Sequence, residues 1–268
     1  GYTYLPRNGK EIAERDPDTN ILVSVFKEQF LKFNNYLTEE DFERELANIK
    51  LELNQNDLGR SFFRRLQGQE DTVYIDWENP EANTFHVALE VTCKNGQDEF
   101  RPDIVVFING LPLSYIEVKQ PNAIRDGKTG IQSEQDRTRQ RFENRKFRRF
   151  NNITQLIALS DNLPYISGQG QQKQGSYYGS NAYSKTKFNA FKEEREEDFL
   201  HSLATLTEGQ IDFVLDDMNH FALKSQPEFK TNLNPDTPCN AFLSSLYQKG
   251  RLLFMLRFGL VYVEEESK

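Results

Sequence analysis

The chain has 268 residues, 37% of them hydrophobic and 28% charged, with a formal net charge of -8, a balance that suits one elaborated α/β domain with a sizeable core and a wet surface. No run approaches the roughly 20 apolar residues of a membrane span, and residues 1–7 lack the apolar centre of a signal peptide, so neither a membrane protein nor an exported one is expected. Cys93 and Cys239 are too few for a disulfide framework and stand at no zinc-ligand spacing, which points to a reducing cytoplasm, while the acidic balance argues against indiscriminate nucleic-acid binding unless it conceals a basic face.

In residues 21–34, Leu22, Val25, Phe26, Gln29, Phe30 and Phe33 recur at three- and four-residue spacing, the stripe of an amphipathic helix. A second helix is expected from Thr38, whose hydroxyl precedes Glu39, Glu40 and Asp41; Asp41 stands where a full capping box has Glu or Gln. Residues 56–66 read as a further short helix ended by Gln67-Gly68-Gln69. The period then changes. Residues 72–77 and 84–92 are rich in β-branched and aromatic side chains and read as strands, with turns at 79–83 and 94–98.

Residues 103–108, the dipeptide Asn109-Gly110 and residues 111–119 together signal a hairpin, and Pro112, which cannot donate to a ladder, belongs at the turn or a bulge. Residues 130–150 read as a helix and 153–159 as an apolar strand. The Gln-, Gly- and Ser-rich residues 167–184 read as a long mobile loop, helices resume near Glu193, and residues 243–260 have the apolar density of a packed helical end. Three regions follow: a core over 1–165, a loop over 166–192 and a helical part over 193–268. The fold class expected is α/β, with a mixed central sheet flanked by helices.

The hairpin carries chemistry. Cleaving a phosphodiester with a divalent metal needs carboxylates to hold the ion and a group to position or polarise water, a role that lysine can fill. Glu117 and Lys119 are two apart on one strand and so share a face, with Val118 on the other; Asp103 comes from the neighbouring strand. Register decides whether the three meet. A strict two-residue turn at Asn109-Gly110 puts Asp103 opposite Ile116, on the wrong face. The expected arrangement is therefore a three-residue connection pairing Ile108 with Pro112, or a compensating bulge at Pro102-Asp103, either of which puts it opposite Glu117. An E-x-K tripeptide by itself is common on solvated sheet faces; its place at the end of a buried hairpin is what gives it weight.

Residues 101–119, Arg-Pro-Asp-Ile-Val-Val-Phe-Ile-Asn-Gly-Leu-Pro-Leu-Ser-Tyr-Ile-Glu-Val-Lys, resemble the nuclease core of the restriction subunit of type I restriction-modification enzymes, in the PD-(D/E)xK superfamily. The likeness extends upstream through Leu53-Asn54-Gln55-Asn56 and Asn83-Thr84-Phe85-His86-Val87, and downstream through residues 155–162. It implies a restriction-endonuclease-like fold in which Asp103 and Glu117 ligate Mg2+ and Lys119 activates water or stabilises the transition state. It also implies double-stranded DNA as substrate, modification and specificity subunits as partners, and an ATP-driven motor elsewhere in the subunit, since no G-x-x-x-x-G-K-[ST] occurs here. The family's Q-x-x-x-Y helix motif is incomplete: Gln132 is followed four residues on by Asp136, and Gln135 by Arg139. Only Gln132 is carried over as a DNA contact.

Arg137, Arg141, Arg145 and Arg148 recur at helical spacing after the catalytic strand and form a stripe that could follow a DNA backbone; the bland reading is a solvated face paired with Glu134, Asp136 and Glu143. His86, His201 and His220 are isolated and read as packed or surface residues, Glu90 as a sheet-face residue, and Trp77 as a packing residue. Tyr177-Tyr178 falls in the expected loop, where stacking on a base, packing on a partner and disorder stay open. The leading function is a non-specific endonuclease acting after translocation. The competing class is a non-catalytic DNA-binding or docking module, and a structure-specific repair nuclease is a further alternative.

Overall fold

A seven-stranded mixed sheet in the order β1-β2-β5-β6-β9-β10-β11 runs through the centre of the computed structural model, which describes residues 1–68, 72–166, 173–181, 188–192 and 206–262. Its strands are β1 (Thr3–Tyr4), β2 (Phe85–Leu89), β5 (Ile104–Ile108), β6 (Leu111–Val118), β9 (Leu156–Ser160), β10 (Ser176–Gly179) and β11 (Asn189–Ala190). β1 runs parallel to β2 and β6 parallel to β9, and the other neighbours are antiparallel. Two small hairpins stand apart, β3–β4 (Cys93–Asn95, Asp98–Phe100) and β7–β8 (Ile124–Arg125, Lys128–Thr129). β6 and β9 are buried almost throughout, which explains why both read as continuous apolar runs.

The early helices form where the spacing places them. After a single turn, α1 (Lys10–Ala13), come α2 (Val23–Phe33), α3 (Glu39–Glu52) and α4 (Arg60–Leu66). Asp41 completes the capping box: its amide donates to the Thr38 hydroxyl at 3.3 Å and its carboxylate accepts from the Thr38 amide at 2.8 Å. Phe26, Phe30, Phe42 and Tyr74 form one aromatic cluster with centroids 5.4–6.0 Å apart.

Residues 72–77 are not a strand. Their backbone groups are taken by asparagine side chains: the Val73 amide donates to Asn34 at 2.9 Å, the Asp76 amide to Asn83 at 2.9 Å, and the Tyr74 carbonyl accepts from Asn109 at 2.8 Å. With those groups satisfied, no ladder is needed. Trp77 packs half-buried, its indole N–H donating to the Leu66 carbonyl at 3.2 Å.

The connection between β5 and β6 corrects the expected turn. Ile108 pairs with Leu111, so Asn109-Gly110 is a two-residue turn, with φ of 52° and 82° as a primed turn requires. The register shifts within the strands instead, between Val106 and Ile108, where Pro112 and Leu113 together span the position facing Phe107. Ile104 then pairs with Ile116, and one step further the same register sets Asp103 opposite Glu117. The turn is buried: a Cβ on Gly110 would lie 2.6 Å from the Phe26 amide nitrogen, so only glycine lets α2 sit this close.

The long helix expected over 130–150 is broken. α5 (Gly130–Glu143) ends at Asn144, whose side chain accepts from the Lys146 amide, and after a 3-10 turn (Arg145–Phe147) α6 (Arg148–Ile153) follows. The expected loop is also interrupted, because Ser176–Gly179 enters the sheet as β10, with Tyr177 buried. Residues 167–172 and 182–187, and the helix start expected at Glu193, lie outside the described residues. Beyond them, α7 (Glu208–Asp217), α8 (Pro227–Asn232), α9 (Pro238–Leu246) and α10 (Lys249–Phe258) are helical. Phe242, Leu246, Leu252, Leu253 and Leu256 join the same core as the sheet, and Tyr247 reaches the Ser114 hydroxyl at 2.8 Å. Among the described residues no helix is long and apolar enough to cross a membrane.

Candidate functional site

Glu117 lies near the end of β6 with 3% of its surface exposed. Lys119 continues the strand geometry one residue beyond it, because its amide donates to the Ser160 carbonyl of β9 at 2.8 Å. Period-2 geometry therefore sends Glu117 and Lys119 to one face while Val118 is exposed on the other. The Lys119 ammonium stands 2.8 Å from Glu117 Oε2 and 3.6 Å from Asp103 Oδ2. Asp103, just ahead of β5, is fixed by the Val118 amide, which donates to its Oδ2 at 2.7 Å. The three residues singled out in the sequence thus converge.

A fourth residue joins them. Glu134 on α5 is fully buried, with Oε2 3.2 Å from the Lys119 ammonium and Oε1 2.7 Å from Arg141 Nη2. The sequence reading counts Glu134 only as a counter-charge for the arginine stripe. The overlooked signal is positional: Ile131, Glu134, Gln135 and Thr138 fall at i, i+3, i+4 and i+7 and are all buried, so an acid lies on the face that packs inward. α5 can come this close because its first residue is glycine. A Cβ on Gly130 would lie 2.9 Å from Lys119 Cβ.

The electrostatics follow from burial. Desolvation, then the charge of Glu134, push the Glu117 carboxyl up to about 7, with Lys119 pulling the other way. Burial opposes the charge on Lys119, but Glu117, Glu134 and Asp103 outweigh it and raise its pKa. Burial likewise opposes the charge on Arg141, but Tyr115, Glu134 and Glu117 outweigh it and raise its pKa. Three carboxylates face Lys119 and Arg141, with Arg137 at the edge 3.4 Å from Glu134, and Glu117 Oε1, Glu134 Oε1 and Arg141 Nη1 lack aligned hydrogen bonds despite their ion-pair distances. Among the described residues no three His, Cys, Asp or Glu side chains are arranged to hold a metal ion as they stand; the carboxylates gather around an ammonium instead.

The arginines divide. Arg141 points inward, its guanidinium 3.8 Å from the centre of the Phe100 ring and 3.8 Å from Glu117 Oε1, so it belongs to the buried cluster and not to an outer stripe. Arg137, 3.4 Å from Glu134, has a side chain 57% exposed and lines a cavity of about 380 Å³ with Phe100, Arg101, Gln140, Arg141 and Asn144. Arg145 is exposed on the 3-10 turn, while Arg148, at the start of α6, donates to the Asn54 carbonyl at 3.3 Å. The break at Asn144 therefore keeps the four from sharing one helix.

Gln132 completes the capping box of α5: its Oε1 accepts from the Thr129 amide at 2.9 Å, and its amide donates to the Thr129 hydroxyl at 3.2 Å. Gln135 is buried and accepts from Lys173 at 3.1 Å, and its Nε2 has no partner. Glu90 turns to Arg7 and Arg101, each 3.6 Å away. His86 is part of β2, with its pKa lowered by burial, and His220 caps a 3-10 turn; His201 lies outside the described residues.

Residues 1–175 match the family described as type I restriction enzyme R protein N terminus, and the chain belongs to that family. A relative in Methanocaldococcus jannaschii, provisionally named type I restriction enzyme MjaIXP endonuclease subunit, is 30% identical over an alignment covering 48% of this chain and 14% of the relative. The chain thus spans about one-seventh of that relative's length.

Proposed function

We propose that this chain is the Mg2+-dependent endonuclease domain of a type I restriction enzyme R subunit, built on a PD-(D/E)xK core. In this reading it hydrolyses DNA phosphodiester bonds without sequence preference, as part of a type I site-specific deoxyribonuclease, after an ATP-driven motor outside these residues has moved the duplex. The observation that carries the reading is the convergence of Asp103, Glu117 and Lys119 at the end of the β5–β6 hairpin, achieved by a bulge that corrects the register.

The donor set suits a hard divalent cation, since it consists of carboxylates, already draws a positive charge among them, and leaves Glu117 Oε1 without an aligned partner. Asp103 and Glu117 would hold the ion. Bound Mg2+ supplies a polarised water and neutralises charge on the phosphate. Lys119 presents its ammonium on the same face, where it can meet the charge that develops on the phosphoryl oxygens. Arg137 with its neighbouring cavity, Arg145, Arg148 and the free edge of Gln132 would follow the phosphate backbone, positioning DNA without reading its sequence. Arg141 serves the site from within. Modification and specificity subunits would supply target recognition, in the cytoplasm.

Plasmid cleavage by the reconstituted complex tests this directly. Wild type is expected to cut with Mg2+ and ATP, and Asp103→Ala and Lys119→Ala to lose cutting by a factor of about 1,000 or more; cleavage that survives both substitutions eliminates the site. The pairing of Lys119 with Glu117 and Glu134 also suits a second reading, a non-catalytic DNA-binding or docking module in which the ion pairs are structural. Calorimetry separates the two. Mn2+ affinity equal in wild type and Asp103→Ala favours the structural reading.

A further inference from the structure

We infer that Glu134 is the positioning residue that keeps Lys119 in the site when Glu117 turns to a divalent cation. The inference rests on the nuclease reading and adds a residue to it. Lys119 has two close anionic partners, Glu117 at 2.8 Å and Glu134 at 3.2 Å, with Asp103 further off at 3.6 Å. Under the proposed function Glu117 and Asp103 both serve the ion, so their hold on the ammonium weakens, and a cation beside it also repels it. Glu134 alone is then left to anchor Lys119.

The setting of Glu134 fits that task. It is fully buried on α5, with no exposed surface through which water could replace its partners. Arg141 holds its other oxygen at 2.7 Å and is itself seated over the Phe100 ring at 3.8 Å. The carboxylate is thus braced from behind by a cation on its own helix, seven residues on, while its Oε2 faces Lys119 on the sheet at 3.2 Å, with the more exposed Arg137 beside it at 3.4 Å. Gly130 provides the close approach that makes the contact possible.

The test uses the R subunit in its reconstituted complex, with lysine acylation read by mass spectrometry at Lys119 and plasmid cleavage measured on the same samples. In wild type, Lys119 is expected to stay protected with and without Mn2+. In Glu134→Gln it stays protected without metal, because Glu117 still holds it, and becomes labelled when Mn2+ is added; cleavage falls about a hundredfold, the effect of a displaced catalytic group. Glu134→Asp, which keeps the charge, restores part of both. Arg141→Lys reports the brace and gives an intermediate result. Labelling of Glu134→Gln that is indifferent to Mn2+, or cleavage within twofold of wild type, overturns the inference. If wild type cuts, Asp103→Ala does not, and Glu134→Gln behaves as wild type, only this inference fails; if Asp103→Ala cuts as well as wild type, the nuclease reading itself fails.

Discussion

Two residues at tight places in the hairpin and its neighbouring helix decide how well the candidate site is assembled. Asn109 holds the turn by accepting from the Thr84 amide at 2.8 Å and donating to the Tyr74 carbonyl and the Asn83 side chain, each at 2.8 Å. Replacing it by alanine leaves buried polar groups unmatched, and a loss of about 3 kcal/mol is expected in urea unfolding, since each orphaned group costs about 1–3 kcal/mol; a loss below about 0.5 kcal/mol would contradict the role given to it. Gly130→Ala acts differently. Alanine is the better helix former by up to about 1 kcal/mol, which offsets part of the roughly 1–3 kcal/mol of overpacking when the added methyl meets Lys119 Cβ at 2.9 Å. Cleavage should fall about tenfold or more while the melting temperature stays within a few degrees; unchanged cleavage would show that Lys119 has room to spare. Asp103, Glu117 and Lys119 were legible in the sequence because strand period fixes which residues share a face. Glu134 was not, because its meaning depends on which face of α5 docks, and a row of arginines around it invites the reading of a solvated helix.

At the scale of elements, the segment ahead of α2 is tied to α6 by Asp18, whose carboxylate pairs with Arg149 at 2.9 Å. Burial first, then a hydrogen bond shared with Asp16, push the Asp18 carboxyl up to about 6 from its ordinary 3.8. Burial also opposes the ionisation of Asp16, but hydrogen bonds from Asp18, Lys50 and Thr19 hold it below the usual carboxylate range. The folded state therefore binds the Asp18 proton more tightly than the unfolded chain does. Its contribution to stability is full below about pH 4 and lost as pH rises through about 6. Asp16 has the opposite sign, with a contribution present above about pH 4 and lost on acidification. Asp18→Asn removes the first titration, so its stability relative to wild type should improve between pH 5 and pH 7.5, read from urea midpoints. Parallel pH profiles would show that the pair does not share a proton. Elements differ in how far their local sequence specifies them. Helices with an apolar stripe and a cap, such as α2 and α3, followed from spacing and local chemistry. The break at Asn144 did not, because Arg145 to Phe150 continues in helix-forming residues and the interruption comes from a side-chain hydrogen bond to the chain's own backbone. Residues 72–77 carry strand composition, yet Asn34, Asn83 and Asn109, all outside the segment, take hydrogen bonds that a neighbouring strand would have supplied.

Across the whole molecule, a net charge of -8 coexists with a cavity lined by Arg101 and Arg137, with Glu99 and the inward-pointing Arg141, beside the candidate site. If that face meets the DNA backbone, Arg137→Ala should weaken binding to all sequences alike and reduce the slope of log affinity against log salt by about one. A sequence-dependent loss, or an unchanged slope, would place the duplex elsewhere. The mixed sheet and its flanking helices were legible as a class, because hydrophobic period, turn residues and Asn-Gly punctuation agree with one another. Strand order was not, since the parallel pairing of β6 with β9 spans a helical connection that no local signal specifies. Nor was the entry of residues 176–179 into the sheet, hidden in a Gln- and Gly-rich stretch. The proposed metal site lies between β5 and β6, and anomalous scattering from crystals grown with Mn2+ examines it most directly. A peak between the carboxylates of Asp103 and Glu117, absent in Asp103→Ala, is the predicted result; no peak there at saturating Mn2+, or one that persists in Asp103→Ala, would contradict it.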